Sequence, residues 1–307
     1  MKNKLNLKSC LYLAAFGIAV FAISSCGSGS DKEGKDAEEP IMTEVDESVI
    51  KDVQEAKKIF NALPSPLESA MLIKSAGATF DSDLLNPTDA VSRYSTNKSM
   101  ALNLGIYTCD LSFSSLYDQT QLVINYMEAA KKMADGLGIL DAINESTINR
   151  LEENVNNRDV ILDIVSETFM NTNSYLEDNE QPAISSIVLV GGWLEGLYIA
   201  TQLVEVEEFD KNKLVGRIID QKLSVDIMLN LLKENISHPA VPEIMDQMLG
   251  VKAVFDKFKI ETTKITPEID KETNVTILRS EISSNMTPEI FTELSQVVDE
   301  VRSSFVK

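Results

Sequence analysis

Apolar residues recur mostly at helical spacing along this chain, which predicts a protein built almost entirely of α-helices. The first apolar stripe ends at Pro64. It consists of Val49, Ile50, Val53, Ala56, Ile59, Phe60 and Leu63. Ser65, Pro66 and Glu68 then form a capping-box pattern that starts a second helix, and Gly77 ends it. We expect these two segments to form a helical hairpin.

The same spacing continues after a loop-like stretch at 78–96, in which Thr88 to Tyr94 could form a short helix. It predicts helices at about 98–116, 119–136, 145–155, 158–177, 183–205, 211–235 and 240–259, and a last one that starts at Thr287. Their short connections favour antiparallel neighbours. The sequence therefore predicts an all-α fold, a multi-helix antiparallel bundle of about eight to ten helices.

One segment near the C-terminus departs from the helical pattern. β-Branched residues flank the polar stretch from Asp270 to Asn274. They are Thr262, Thr263, Ile265, Thr266, Val275, Thr276 and Ile277. This pattern predicts a small β-hairpin at about 260–280, with a loop as the alternative.

The N-terminus carries an export pattern. Lys2, Lys4 and Lys8 precede the apolar run from Leu11 to Ile23, as in a cleavable signal. This run is too short for a spanning helix, which needs roughly 20 apolar residues. It ends at Ile23-Ser24-Ser25-Cys26, where the chain resembles the bacterial lipoprotein class, whose signal ends in small residues before a cysteine.

The resemblance implies cleavage between Ser25 and Cys26, with a diacylglycerol on the Cys26 sulfur and a further acyl chain, typically palmitate, on its amine. We expect a signal peptide at 1–25, a lipidated, flexible acidic tether at 26–44 and a single helical domain at 45–307. Gly27, where enteric bacteria use Asp to retain lipoproteins at the inner membrane, favours the outer membrane. The mature chain is also similar to α-helical lipoproteins of Bacteroidota of unknown activity, so no functional residue is inferred from the resemblance.

The tether has two interpretations. Its acidic residues from Asp31 to Glu39 look similar to the signals that direct some Bacteroidota lipoproteins to the cell surface. Acidic, Gly-rich and Ser-rich composition is also typical of any solvated linker. The domain is therefore expected either on the periplasmic face or at the cell surface.

The chain is strongly acidic, with a formal net charge of −20, and signal cleavage removes three lysines and no acid. A negative field repels nucleic acid and anionic lipid headgroups, so nucleic acid is not an expected partner. Solubility alone explains much of this charge, and cationic ligands or partners are the alternative. Cys10 leaves with the signal and Cys26 is lipidated, which leaves Cys109 without a partner for an intramolecular disulfide.

The most apolar mature segment runs from Ile184 to Val204, with Glu195 near its centre. A charged residue there costs about 2.5–3.5 kcal/mol in a membrane span, so we predict a central bundle helix. Its small residues Ser185, Gly191, Gly192 and Gly196 would let a neighbouring helix approach closely. The same strip could instead leave room for a ligand.

Glu195 is the best candidate for a functional acid, because a carboxylate in an apolar helix must be paired, protonated or used. Trp193 and Tyr198 lie beside it in sequence, and an earlier polar cluster contributes Tyr107 and Asp110. Cys109, Tyr117 and Asp118 belong to the same cluster. These residues define a candidate ligand pocket, with hydrogen bonding inside a core as the alternative.

Other chemical signatures are missing from the sequence. His238 is the only histidine, so a zinc site with several histidines or cysteines is excluded, and no metal or cofactor is expected. No glycine-rich phosphate loop occurs. Two function classes remain: a non-enzymatic envelope protein that binds a protein partner or small ligand, or a hydrolase or lyase that uses Glu195 with Asp110 or His238.

Overall fold

The structure, a computed structural model, describes residues 65–140, 145–262, 266–269, 276–279 and 282–307, all within the unit Glu47–Lys307. Its α-helices are α1 Pro66–Ser75, α2 Asn97–Leu116, α3 Thr120–Gly136, α4 Glu145–Glu153, α5 Arg158–Asp178, α6 Pro182–Gln202, α7 Lys213–Glu234, α8 Val241–Phe255 and α9 Pro288–Phe305. Short 3-10 helices span Ser82–Leu84, Thr88–Arg93 and Val206–Glu208. The all-α prediction is confirmed. The signal peptide, the tether and the helix expected before Pro64 lie outside the described residues.

Local capping explains where these helices begin and end. The Ser65 hydroxyl accepts the Glu68 amide, and the Glu68 carboxylate accepts the Ser65 amide at 2.7 Å, so the predicted capping box is confirmed. Gly77 follows α1 with a φ of +91°, a conformation that glycine adopts without strain. α5 begins at Arg158, where the sequence predicted it, and the Asn157 side chain caps it.

The parallel pair α2 and α6 forms the centre of the fold, with backbones in direct contact. A Cβ added to Gly105 would lie 2.1 Å from the Val188 carbonyl oxygen, and one added to Gly191 would lie 2.2 Å from that of Leu102. The small residues therefore do permit the predicted close approach. The two helices run parallel, whereas helices that follow one another directly were expected to run antiparallel. Three helices, α3, α4 and α5, lie between them in sequence and return the chain to its first direction. α6 is long and apolar enough to span a membrane, but 89% of its apolar 18-residue stretch is buried within the protein.

α9 packs antiparallel to α6 and closes the bundle. Gln202 at the end of α6 donates to Ser295 in the first half of α9 at 3.0 Å, whereas Glu195, earlier on α6, contacts Arg302, later on α9. α9 also packs on α8, where Lys257 just beyond α8 pairs with Glu293 at 2.5 Å. Its Leu294 and neighbouring apolar residues are buried, which confirms that the last helix docks on the core.

Four short strands lie where the sequence changes to β-branched residues. They are β1 Ile260–Thr262, β2 Thr266–Ile269, β3 Thr276–Arg279 and β4 Ile282–Ser284. β1 pairs with β4 and β2 pairs with β3, both antiparallel. Residues 270–275, which contain the predicted turn, lie outside the described residues.

Candidate functional site

Glu195 on α6 forms a buried ion pair with Arg302 on α9. The Nε and Nη2 atoms of Arg302 donate to the two carboxylate oxygens of Glu195 at 2.9 and 2.8 Å. Glu195 is 0% exposed and Arg302 is 8% exposed. Burial alone would lower the pKa of Arg302, but the Glu195 carboxylate more than offsets this effect and raises it. The carboxylate that the sequence singled out is thus fully paired.

Asp110 on α2 lies against the same ion pair and is also 0% exposed. Burial, and then the charge of the Glu195 carboxylate, raise the pKa of Asp110 well above its usual range, although Arg302 lowers it. Its Oδ2 accepts the Asn86 backbone amide at 3.1 Å. Its Oδ1 has no hydrogen-bond partner among the described residues. Burial beside a second carboxylate therefore favours the protonated form of Asp110.

Two asparagines extend this cluster to the end of the chain. The Asn86 side chain donates to Asn103 Oδ1 at 3.0 Å, and the Asn103 side chain donates to the Phe305 carbonyl at 2.9 Å. Tyr94 donates to the Val306 carbonyl at 3.2 Å. We call Glu195, Arg302, Asp110, Asn86 and Asn103 the polar network. Its hydrogen bonds link the loop before α2 and the C-terminal helix α9 to the central helices α2 and α6.

Of the predicted tyrosines, Tyr198 touches the polar network directly, because the Arg302 guanidinium lies 4.6 Å from its ring centroid. Tyr107 lies close by and donates to the Pro87 carbonyl at 3.1 Å. Burial, with smaller contributions from neighbours that include Tyr94 and Asp110, raises the pKa of Tyr107. Both tyrosines therefore help to fill the core around the network.

Trp193 does not join this group. It lies two residues from Glu195, a rotation of about 200° around a helix, so the two side chains leave opposite faces of α6. The Trp193 indole donates to Gln221 on α7 at 3.0 Å. The predicted five-residue pocket is thus corrected: four of its residues cluster, and the tryptophan belongs to the α6–α7 interface.

The proposed acid–base partner His238 lies in the connection between α7 and α8. Its Nδ1 accepts the Ala240 amide at 3.3 Å, and no described hydrogen bond or ion pair joins it to Glu195 or Asp110. Cys109 is buried and unpaired. Within the described ranges, no group of three or more His, Cys, Asp or Glu side chains is arranged to hold a metal ion.

Open space lies instead beside a different face of α2. A cavity of about 70 Å³ is lined by residues of α2, α3, α4 and α5 and by one residue of α6. Its lining includes Leu104, Leu111, Met127, Leu151, Val165 and Val188. We call this space the apolar cavity. Neither Glu195 nor Asp110 lines it.

Sequence reasoning missed Arg302, Asn86 and Asn103. Arg302 had a detectable signal, because it lies on the apolar stripe of α9 one turn after Val298 and three residues before Phe305. A cation on an apolar stripe calls for a buried partner, as an acid does. The asparagines had no such signal, because a loop position and an Asn within a helix usually face solvent.

Comparison with protein-family models, with curated proteins and with solved structures found no match to this chain. Its function is therefore argued from its own geometry and from the N-terminal signal. Ser25 and Cys26 lie outside the described residues, and the lipidation stays a prediction.

Proposed function

We propose that this chain is a lipoprotein of the bacterial outer membrane whose helical domain binds a ligand or protein partner without catalysing a reaction. The observation that supports a binding role is the apolar cavity, an open space bordered by five helices and separate from the buried acids. Ligand sites are typically concave and lined mainly by apolar side chains.

The alternative hydrolase or lyase is disfavoured by how Glu195 is held. A general acid or base must come within about 2.6–3.2 Å of a substrate atom, directly or through one water. Glu195 is 0% exposed and both of its oxygens already accept from Arg302. Asp110 is equally buried. Substrate could reach either acid only if α9 separated from α6.

The anchor rests on the N-terminal sequence. Each buried methylene contributes about 0.8 kcal/mol, and two or more acyl chains give stable membrane attachment where one chain is marginal. A diacylglycerol on Cys26 would hold the domain at the membrane without a spanning helix. That agrees with α6, the apolar helix long enough to span, being 89% buried in the core.

Metabolic labelling tests this proposal. Cells that express the wild type or Cys26→Ala are grown with an alkyne analogue of palmitate, and membrane and soluble fractions are compared. We expect label and membrane attachment for the wild type only. Equal label and equal fractionation of both proteins would contradict the anchor. Proteinase K added to intact and lysed cells then distinguishes the cell surface from the periplasm.

A further inference from the structure

The apolar cavity is continuous with the surface at one end. Lys131 on α3 is exposed, and its neighbours Ala130, Thr168 and Phe169 are half-buried, so this end opens to solvent. The deeper walls are formed by residues such as Leu104 and Val188, which are 4% and 1% exposed. A ligand would thus place one end in an apolar interior and leave the other end at the rim.

The chemistry of the rim favours an anion. Among the described residues that line the cavity, Lys131 is the one cation and none carries a carboxylate. Lys131 also forms no salt bridge with another described residue, although the chain as a whole carries a net charge of −20. Lys131 therefore gives this end of the cavity a local positive charge that complements a negatively charged head group, against the repulsive field of the acidic chain as a whole.

The volume of the cavity limits the apolar part of the ligand. At about 70 Å³ it is smaller than the ~150 Å³ engineered cavity that accepts benzene. The end of an unbranched chain therefore fits better than a ring system. Thr168 and Thr172 also line the cavity, and their hydroxyl groups form no hydrogen bond with another described residue. Each hydroxyl could therefore bind a water molecule without breaking an existing hydrogen bond.

We propose that the apolar cavity binds a free fatty acid, with the end of the alkyl chain inside and the carboxylate near Lys131. The inference deepens the binding role proposed above and depends on it. The chain's own acyl groups are a second source of alkyl chains, but a diacylglycerol thioether has no carboxylate to match Lys131. A free fatty acid therefore accounts for both the interior and the rim.

Calorimetric titration of the Cys26→Ala protein, which lacks acyl chains, tests this site with hexanoate, octanoate and decanoate below their micellar concentrations. Each methylene that enters the cavity should tighten binding about fourfold, equivalent to ~0.8 kcal/mol. The gain should stop once the cavity is filled. Decyltrimethylammonium, with the opposite head-group charge, should bind more weakly than decanoate. No saturable binding, or equal binding of both head groups, would overturn the proposal.

Variants locate the site. Ala130→Leu places a larger side chain at the cavity wall and should weaken decanoate binding at least tenfold, while the melting temperature stays equal or rises. Lys131→Gln should weaken binding about threefold to fivefold, as expected for an exposed ion pair. Lys132→Gln is the matched control, because Lys132 is exposed on α3 but does not line the cavity. Wild-type binding by both Ala130→Leu and Lys131→Gln would place the ligand elsewhere and overturn the assignment.

A last comparison distinguishes the two sources of alkyl chains. The acylated wild type in lipid nanodiscs, corrected for empty nanodiscs, should bind decanoate as Cys26→Ala does. Loss of binding in the acylated protein would show that its own chains fill the cavity and would overturn the proposal. Membrane fractionation is independent of decanoate, so a failed titration with normal anchoring would reject the ligand class and leave the lipoprotein assignment intact.

Discussion

The polar network and the apolar cavity lie beside different faces of α2, and they reverse what the sequence suggests about function. The network contains the conspicuous acids, but Glu195 is paired with Arg302 and both side chains are buried. The cavity has space and an opening, but ordinary core residue types line it. The comparison teaches that an acid in an apolar helix should first be expected to pair with a buried side chain of the protein, and only then to bind a ligand.

Replacement of Arg302 in the polar network should change the stability of the protein more than any other substitution considered below outside the buried ion pair. Arg302→Met leaves Glu195 buried without its partner, which we expect to lower the free energy of unfolding by about 3–5 kcal/mol. Arg150→Met is the matched control, since it breaks the exposed pair with Glu167 and should cost ~0–1 kcal/mol. Urea denaturation measures both. Similar small losses for the two variants would contradict a distinct role for the buried pair.

The contact between α2 and α6 comes next, because both regions depend on it. Gly191→Ala places a methyl group 2.2 Å from the Leu102 carbonyl, which should cost about 1–3 kcal/mol or more. Gly250→Ala on α8 meets nothing within 4 Å and should stabilise by up to ~1 kcal/mol, since alanine favours helices. Thermal unfolding of the two variants should therefore shift in opposite directions. A tolerated Gly191→Ala would show that the helices can separate.

Asp110 should show its effect through pH. Its pKa is higher in the folded state than the ~3.9 of an unfolded aspartate, so the folded protein binds more protons and loses stability as pH rises above about 4. The loss is limited to about 1.4 kcal/mol per pH unit for one proton. Asp110→Asn keeps the shape of the side chain but cannot ionise, so it should remove this part of the pH dependence. Parallel stability curves for both proteins from pH 4 to 7 would show an ionised Asp110.

The smallest effect is expected in the cavity. Thr172→Val removes a hydroxyl that forms no hydrogen bond with another described residue, so stability should stay equal or rise by less than about 1 kcal/mol. Asn103→Leu in the polar network is the comparison. It removes one acceptor of the Asn86 side chain and the donor to the Phe305 carbonyl, and should cost about 1–3 kcal/mol. Equal costs in denaturant unfolding would remove the distinction between the regions.

Much of the fold was predictable because helical periodicity and caps are local properties. Ser65 and Thr287 each cap the helix that the sequence assigned to them. The close approach at Gly191 followed from the absence of a side chain. The parallel arrangement of α2 and α6 was not predictable, because it depends on how three intervening helices return the chain.

The site was predictable only in part. Glu195 and Asp110 were correctly grouped, since both are acids on apolar helices that must be satisfied. Arg302 lies 107 positions from Glu195 in sequence, and no local rule joins residues at that distance. The apolar cavity had no signal at all, because a void depends on side-chain volumes across five helices.

A double-mutant cycle on the buried pair tests the account most directly. Glu195→Leu and Arg302→Met are made singly and together, and each free energy of unfolding is measured in urea. We expect each single variant to lose about 3–5 kcal/mol, and the double variant to lose far less than their sum, because two apolar side chains can replace a buried pair. Losses that add to within about 0.5 kcal/mol would show that the two residues act independently. That result would contradict a structural role for Glu195 through Arg302 and would reopen the case for a functional acid.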